Sequence, residues 1–220
     1  MLNQLQLDSK SLVMEIASND GYLLQHFVAK DIPVLGIEPA ANVAAAAIEK
    51  GIRTAVQFFG EDTAKNILSD YGSADLLLGN NVLAHVPKIN DFIAGMKVLL
   101  KQDGVLTMEF PHLLRLIQGN QFDTIYHEHF SYLSFFTVEK MFAHHGITLF
   151  DVEELTSHGG SLRIFGRHTE NTTLVVSPRV KDLRNYEIEL GINDLKIYQD
   201  FEEKVKETKR KLLDFLIEKK

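Results

Sequence analysis

The chain contains no cysteine. Disulfides, thiolate zinc sites, iron–sulfur clusters and cysteine nucleophiles are therefore excluded. It also has no tryptophan, only five prolines in 220 residues, and no apolar run near the roughly 20 residues that span a bilayer. Basic charge is in the minority: 23 Lys and Arg stand against 30 Asp and Glu, for a net charge of -7. Sequence-independent binding to nucleic acid needs a basic surface to displace counterions, so that class is set aside. The opening stretch MLNQLQLDSK lacks the basic-then-apolar layout of a secretory signal. What is present is an ordinary globular composition, 45% hydrophobic and 24% charged, at a length suited to one moderate domain with an appendage. The expectation is a soluble, cytoplasmic protein with a small-molecule partner, no nucleic acid and no membrane.

Two signals alternate over residues 11–110. Short apolar runs read as buried strands at Leu12–Ala17, Val34–Glu38, Ile52–Phe58, Ala74–Gly79 and Val105–Phe110. Helical patterns lie between them at Tyr22–Ala29, Ala41–Lys50, Asp62–Tyr71 and Asn90–Leu100. Strands apolar on both faces and separated by helices imply a parallel sheet covered on both sides, hence an α/β doubly wound fold. Residues 111–136, rich in aromatics and histidine, read as an irregular or helical insert, and Thr137–His145 as a helix stopped by Gly146. Ile147–Leu155 and Ser161–His168 flank Ser157-His158-Gly159-Gly160 and read as an antiparallel hairpin. Residues 1–170 are thus expected to form one domain. Residues 171–220 read as a linker and an amphipathic helix. Its apolar residues from Ile192 onward need a surface: the core, a second copy in a homodimer, or a further domain.

The first strand ends in Glu15-Ile16-Ala17-Ser18-Asn19-Asp20-Gly21 and runs straight into a helix. A turn of small residues lets a ligand approach the backbone and the helix amino terminus. Glu38, closing the second strand, is placed to accept hydrogen bonds from the ribose hydroxyls of a nucleoside cofactor. The glycine fingerprint that cradles a pyrophosphate is absent, which argues against NAD. Asp20, with Glu15, would supply negative charge for a cationic amino-acid end, which favours S-adenosylmethionine. Asn80 and Asn81 close the fourth strand, beside the expected switch point of the sheet, and are candidates to hold a polar substrate or the methionine portion.

The densest cluster of chemistry is Tyr126-His127-Glu128-His129. It joins a neutral-range base, a carboxylate and a phenol within four residues. Histidine abstracts protons near neutral pH, a carboxylate can orient it, and a phenol can donate to an enolate oxygen. These residues point to deprotonation beside a carbonyl, but do not choose between His127 and His129. The i, i+4 histidine pair of a zincin is missing, so no metal is expected. His26, His112, His144, His145 and His168 read as surface or packing residues, and Phe58-Phe59 as core rather than as walls of an adenine pocket.

Five ordered motifs carry a resemblance: Met14–Gly21, Gly36–Pro39, Asn80–Val86, Tyr126–His129 and His158–Arg163. Over roughly residues 10–170 the chain resembles the S-adenosylmethionine-dependent sugar C-methyltransferases, which methylate carbon 3 of nucleotide-linked 4-keto-deoxy sugars. The resemblance implies the class I, Rossmann-like methyltransferase fold, with a mostly parallel sheet ending in an antiparallel hairpin. It implies His129 as general base, with Tyr126, Glu128 and His85 assisting. It implies cofactor contacts near Asp20, Glu38 and Asn80; Glu15, Ala17, Gly21 and Asn81 complete the cofactor-binding candidates. His127, His158, Ser161 and Arg163 are the candidates for contact with the sugar nucleotide. The cysteine-rich zinc-binding domain usual in that family is absent from this sequence. Three other readings stay open: a methyltransferase of another small molecule, a non-catalytic cofactor-binding module, and an NAD-dependent oxidoreductase.

Overall fold

The computed structural model describes residues 5–220, so the first four residues of the opening stretch lie outside it. Seven strands form one sheet: β1 (Val13–Ile16), β2 (Val34–Ile37), β3 (Thr54–Ala55), β4 (Ala74–Asn80), β5 (Leu100–Pro111), β6 (Ile147–Leu155) and β7 (Ser161–His168). Their order is β3-β2-β1-β4-β5-β7-β6. Strands β1 to β5 pair in parallel, and β7 runs antiparallel to both β5 and β6. The strand order reverses between β1 and β4, so a crevice opens there at the carboxyl ends of the strands.

Each strand residue faces one of two apolar layers, because side chains alternate across a strand. Met14, Leu35, Leu77 and Leu106 face the larger layer. That layer is closed by α3 (Glu61–Tyr71), α4 (Ile89–Leu99), α6 (Phe135–His144) and α7 (Pro178–Glu189). Val13, Val34, Leu76 and Val105 face the other, under α1 (Gln25–Val28) and α2 (Ala41–Glu49). The short α5 (Leu113–Gln118) and the long α8 (Leu195–Glu218) complete the chain. Among the described residues no helix is long and apolar enough to cross a membrane.

Helix ends follow local chemistry. The Ser134 hydroxyl accepts from the Thr137 N–H at the start of α6, and Ser177 and Asp194 cap α7 and α8 in the same way. Pro178 sits at the first turn of α7, where its missing N–H costs no bond.

Three expectations are corrected. The strand expected over 52–58 is regular only at Thr54–Ala55, since at the sheet edge it has β2 alone to pair with. The helix expected at 22–29 is regular only over Gln25–Val28, because the Gly21 N–H closes a turn on the Ser18 carbonyl just before it. Within the stretch expected as a linker, Pro178–Glu189 forms a helix, α7. Val180 and Leu183 of α7 are buried in the main core, and Ile192 packs on Leu114, Leu116 and Ile117. The first half of α8 rests on that same cluster through Ile197 and Phe201, whereas Leu212, Phe215, Leu216 and Ile217 near its end are exposed.

Phe142 of α6 is fully buried in the larger apolar layer. Replacing Phe142 by alanine is expected to cost about 3–5 kcal/mol by leaving a cavity, seen as a lower urea midpoint with an unchanged slope.

Candidate active site

Every predicted motif lies at the carboxyl edge of the sheet. After β1 the chain turns through Ala17 (φ 56°), Asn19 (φ 50°) and Gly21 (φ 75°), an unusual density of left-handed residues. At Gly21 a side chain is disfavoured by the positive φ, and a Cβ there would displace the Ile52 δ-methyl. Glu38, buried after β2, accepts from the Asn19 N–H (3.1 Å) and the Ala40 N–H (2.9 Å), and so ties the first turn to the start of α2. Each carboxylate oxygen keeps a second lone pair after these bonds.

Beside this turn lies an apolar cavity of about 280 Å³, walled by Ala17, Pro39, Phe58, Val82, His85 and their neighbours. Phe58 is 82% exposed on that wall, not core as its sequence suggested; Phe59 lines the same cavity while packing edge-on to Phe92. Glu15 is buried at the end of β1, and one of its carboxylate oxygens has no partner. Burial pushes its pKa up from 4.5 to about 8. Asp20 is placed differently from expectation. It is exposed, bonds Lys50 Nζ at 2.6 Å and lies outside both cavity linings; that ammonium holds its carboxyl below the usual range. The two acids divide because Asp20 rides on an exposed turn while Glu15 points from a buried strand.

A second cavity, about 220 Å³, adjoins the first and shares one wall residue with it, His85. Its lining includes Asn81, His112, Tyr126, His129, Tyr132 and His158. The Tyr-His-Glu-His segment is fastened to the exit of β4. The Ala84 carbonyl accepts from the Phe130 N–H (2.8 Å) and the Ser131 N–H (3.2 Å). This brings the His129 ring 4.8 Å from the His85 ring and 4.5 Å from the Tyr126 ring, centroid to centroid. His85 Nδ1 lies 3.0 Å from the Glu128 carbonyl, and His129 Nδ1 lies 3.2 Å from the Thr124 carbonyl. A carbonyl oxygen only accepts, so each Nδ1 carries the proton and each Nε2 is left as the basic nitrogen.

The remaining candidates separate. His129 is half-buried in the second cavity, whereas His127 is exposed and outside its lining. Glu128 meets the cluster through its backbone carbonyl, not through the orienting carboxylate expected of it. Asn81 (φ 54°) lines the cavity with a buried, unpartnered Oδ1, while Asn80 stays at the end of β4 outside both linings. His158 (φ 52°) lines the cavity from the hairpin loop. Ser161 and Arg163 do not reach it. The Ser161 hydroxyl donates to the Ser157 carbonyl, and Arg163 pairs with Glu109 and Glu153. These bonds commit both side chains to the hairpin and the adjoining β5. Sequence reasoning missed Phe58 and His112 as cavity walls. His112 follows the end of β5 directly, the same strand-end signal that had singled out Asn80 and Asn81.

An open parallel sheet of this order, closed by a reversed β7 and carrying a nucleoside-sized cavity at its switch point, defines the class I, S-adenosylmethionine-dependent methyltransferases. Residues 2–152 match the methyltransferase domain family, and the chain belongs to it. Residues 156–220 match the C-methyltransferase C-terminal domain. The chain is 34% identical over 200 residues to the C-methyltransferase NovU of Streptomyces niveus, covering 91% of this chain and 47% of that one. It thus spans about half the length of that relative. Among solved structures, a Clostridium acetobutylicum S-adenosylmethionine-dependent methyltransferase aligns with a TM-score of 0.59 at 13% identity, covering 76% of this chain and 87% of that one. The magnesium protoporphyrin IX methyltransferase of Synechocystis PCC 6803, solved with bound S-adenosylmethionine, aligns at 0.52 and 14%, covering 71% and 69%.

The residues present fit that cofactor. The apolar cavity suits an adenine, and Glu38, next to its wall residues Ile37 and Pro39, keeps spare lone pairs that suit ribose hydroxyls, whereas Glu15, like Asp20, lies outside both cavity linings. The raised pKa of Glu15 gives a signed prediction. Its stabilising effect is complete below about pH 4.5 and is lost as pH rises through about 8. Against Glu15→Gln, the cofactor-free wild type should therefore lose stability across that window, by at most about 1.4 kcal/mol per pH unit. Urea titrations of both proteins between pH 5 and 9 measure it; parallel curves would refute the assignment.

Proposed function

We propose that this chain methylates a carbon next to a ketone, carbon 3 of a nucleotide-linked 4-keto-deoxy sugar, acting in the cytoplasm. One observation carries the reading. The second cavity holds a half-buried histidine with a basic Nε2, and it meets the cofactor-sized cavity at a single shared wall, His85. The likeness to a C-methyltransferase supports carbon as the acceptor.

S-adenosylmethionine in the first cavity would supply an electrophilic methyl group on a sulfonium. His129 Nε2 removes the proton from the carbon beside the ketone, and the Thr124 carbonyl holds the ring in the tautomer that makes this nitrogen basic. The charge that develops on the ketone oxygen needs a donor, and Tyr126, whose ring lies beside that of His129, would supply its hydroxyl. His85, fixed by the Glu128 carbonyl, stands where the two cavities meet and limits the approach of the carbon to the methyl. Leu113, Leu116 and Ala84 in the cavity wall keep part of the lining apolar, which strengthens each charge interaction inside it.

His129→Ala should abolish solvent deuterium exchange at carbon 3 of a 4-keto-deoxy sugar nucleotide, and lower methyl transfer by about 10²–10⁴-fold, with S-adenosylmethionine affinity unchanged. Mass spectrometry reads the exchange and calorimetry the affinity. Exchange at the wild-type rate in the variant would remove His129 from the role.

A further inference from the structure

His112 is among the most buried polar residues of the molecule, 1% exposed, yet it lines the second cavity. Its backbone is fixed on both sides. The N–H donates to the Gly160 carbonyl (3.0 Å), and the carbonyl accepts from the Leu116 N–H (3.0 Å). Its ring is fixed by Glu187, which reaches beneath the cavity from α7 and is wholly buried. The Glu187 carboxylate gathers three donors. Oε1 accepts from the Phe135 N–H (2.8 Å), Oε2 accepts from the Phe136 N–H (2.7 Å), and His112 Nε2 lies 2.6 Å from Oε1.

This arrangement selects a tautomer. Both carboxylate oxygens already receive a backbone N–H, so the group works as an acceptor throughout and His112 Nε2 is the donor to it. In the neutral imidazole the proton is then on Nε2, and Nδ1 carries the lone pair. That Nδ1 is buried and has no partner among the described residues. A buried acceptor without a donor is costly, and native structures rarely leave one unmet. We infer that His112 is a substrate-binding residue whose Nδ1 accepts a hydrogen bond from a hydroxyl of the sugar in the second cavity, and that Glu187 is the positioning residue that fixes its tautomer.

The inference rests on the sugar reading of the site and extends it. It names a contact at a different wall of the cavity from His129, made by a group that moves no proton. It also gives the carboxyl-terminal part of the chain a task in recognition, because the residue that orients His112 comes from α7.

His112→Gln tests it. The glutamine Nε2 can still donate to Glu187, so the buried carboxylate keeps its third donor, while the acceptor at the Nδ1 position is lost. With a panel of 4-keto-deoxy sugar nucleotides, KM should rise about 10- to 100-fold, with kcat changing far less and S-adenosylmethionine affinity and Tm unchanged. In the wild type, ¹⁵N–¹H correlation spectra of the imidazoles should show the His112 proton on Nε2, and the Nδ1 resonance should move when the sugar nucleotide is added. An unchanged KM in His112→Gln, with a wild type that turns over, overturns the inference and leaves the proposed function standing. So does a proton found on Nδ1 of the free protein. A wild type that turns over no sugar nucleotide in the panel overturns both. Glu187→Gln is the secondary variant; if it folds, its His112 signals should lose the single-tautomer pattern, and retention of that pattern would remove Glu187 from the positioning role.

Discussion

The Ala84 carbonyl, accepting from the Phe130 and Ser131 amides, is the contact on which the site depends. Without it the Tyr126–His129 segment, much of it exposed, is a loop like any other. With it, an imidazole from the insert between β5 and α6 stands beside an imidazole from the exit of β4. Backbone carbonyls then do the finer work. They hold the Nδ1 protons of His85 and His129, so the basic nitrogens are set by main-chain geometry and do not rely on neighbouring carboxylates. A main-chain acceptor does not titrate, so the place of the Nδ1 proton does not depend on the ionisation of a neighbouring side chain.

On the proposed reading the two cavities divide the work of a two-substrate enzyme. One is apolar and sits beside a buried acid after β2; the other is ringed by histidines and tyrosines. His85 belongs to both. Joining two sites through one side chain is an economical way to hold two molecules at reacting distance, and holding them there is worth a large share of the barrier. The left-handed turn after β1 and the ties made by Glu38 keep the first cavity open without a glycine-rich loop, consistent with a cofactor that carries no pyrophosphate.

Much of this was legible in the residues. Apolar runs separated by helical periods marked the parallel strands, and the Gly-rich loop between two β-rich runs marked the reversed hairpin. The strand-end rule singled out Asn81 and His85, which line the second cavity, and Glu38, which lies next to the wall of the first. What the residues concealed has physical causes. Helix α7 has an acid, Glu187, on its buried face in series with Val180 and Leu183, and this masks its periodicity. Strand β5 begins at Leu100 but runs through exposed Lys101–Asp103, which read as a break. Asp20 and Arg163 look available in sequence because nothing local reveals their partners; Lys50 and Glu109 are 30 and 54 residues distant. His112 was passed over for the same reason, its partner being 75 residues away.

The central claim is that a sulfonium cofactor and a 4-keto sugar meet across His85, with His129 facing the carbon that is methylated. A crystal structure of the chain with S-adenosylhomocysteine and a 4-keto-deoxy sugar nucleotide tests it most directly. The account predicts adenine against Phe58 and Pro39, and His129 Nε2 within about 3.5 Å of carbon 3. A sugar bound with its third carbon turned from His129, or a nucleoside lodged in the histidine-lined cavity, would contradict it.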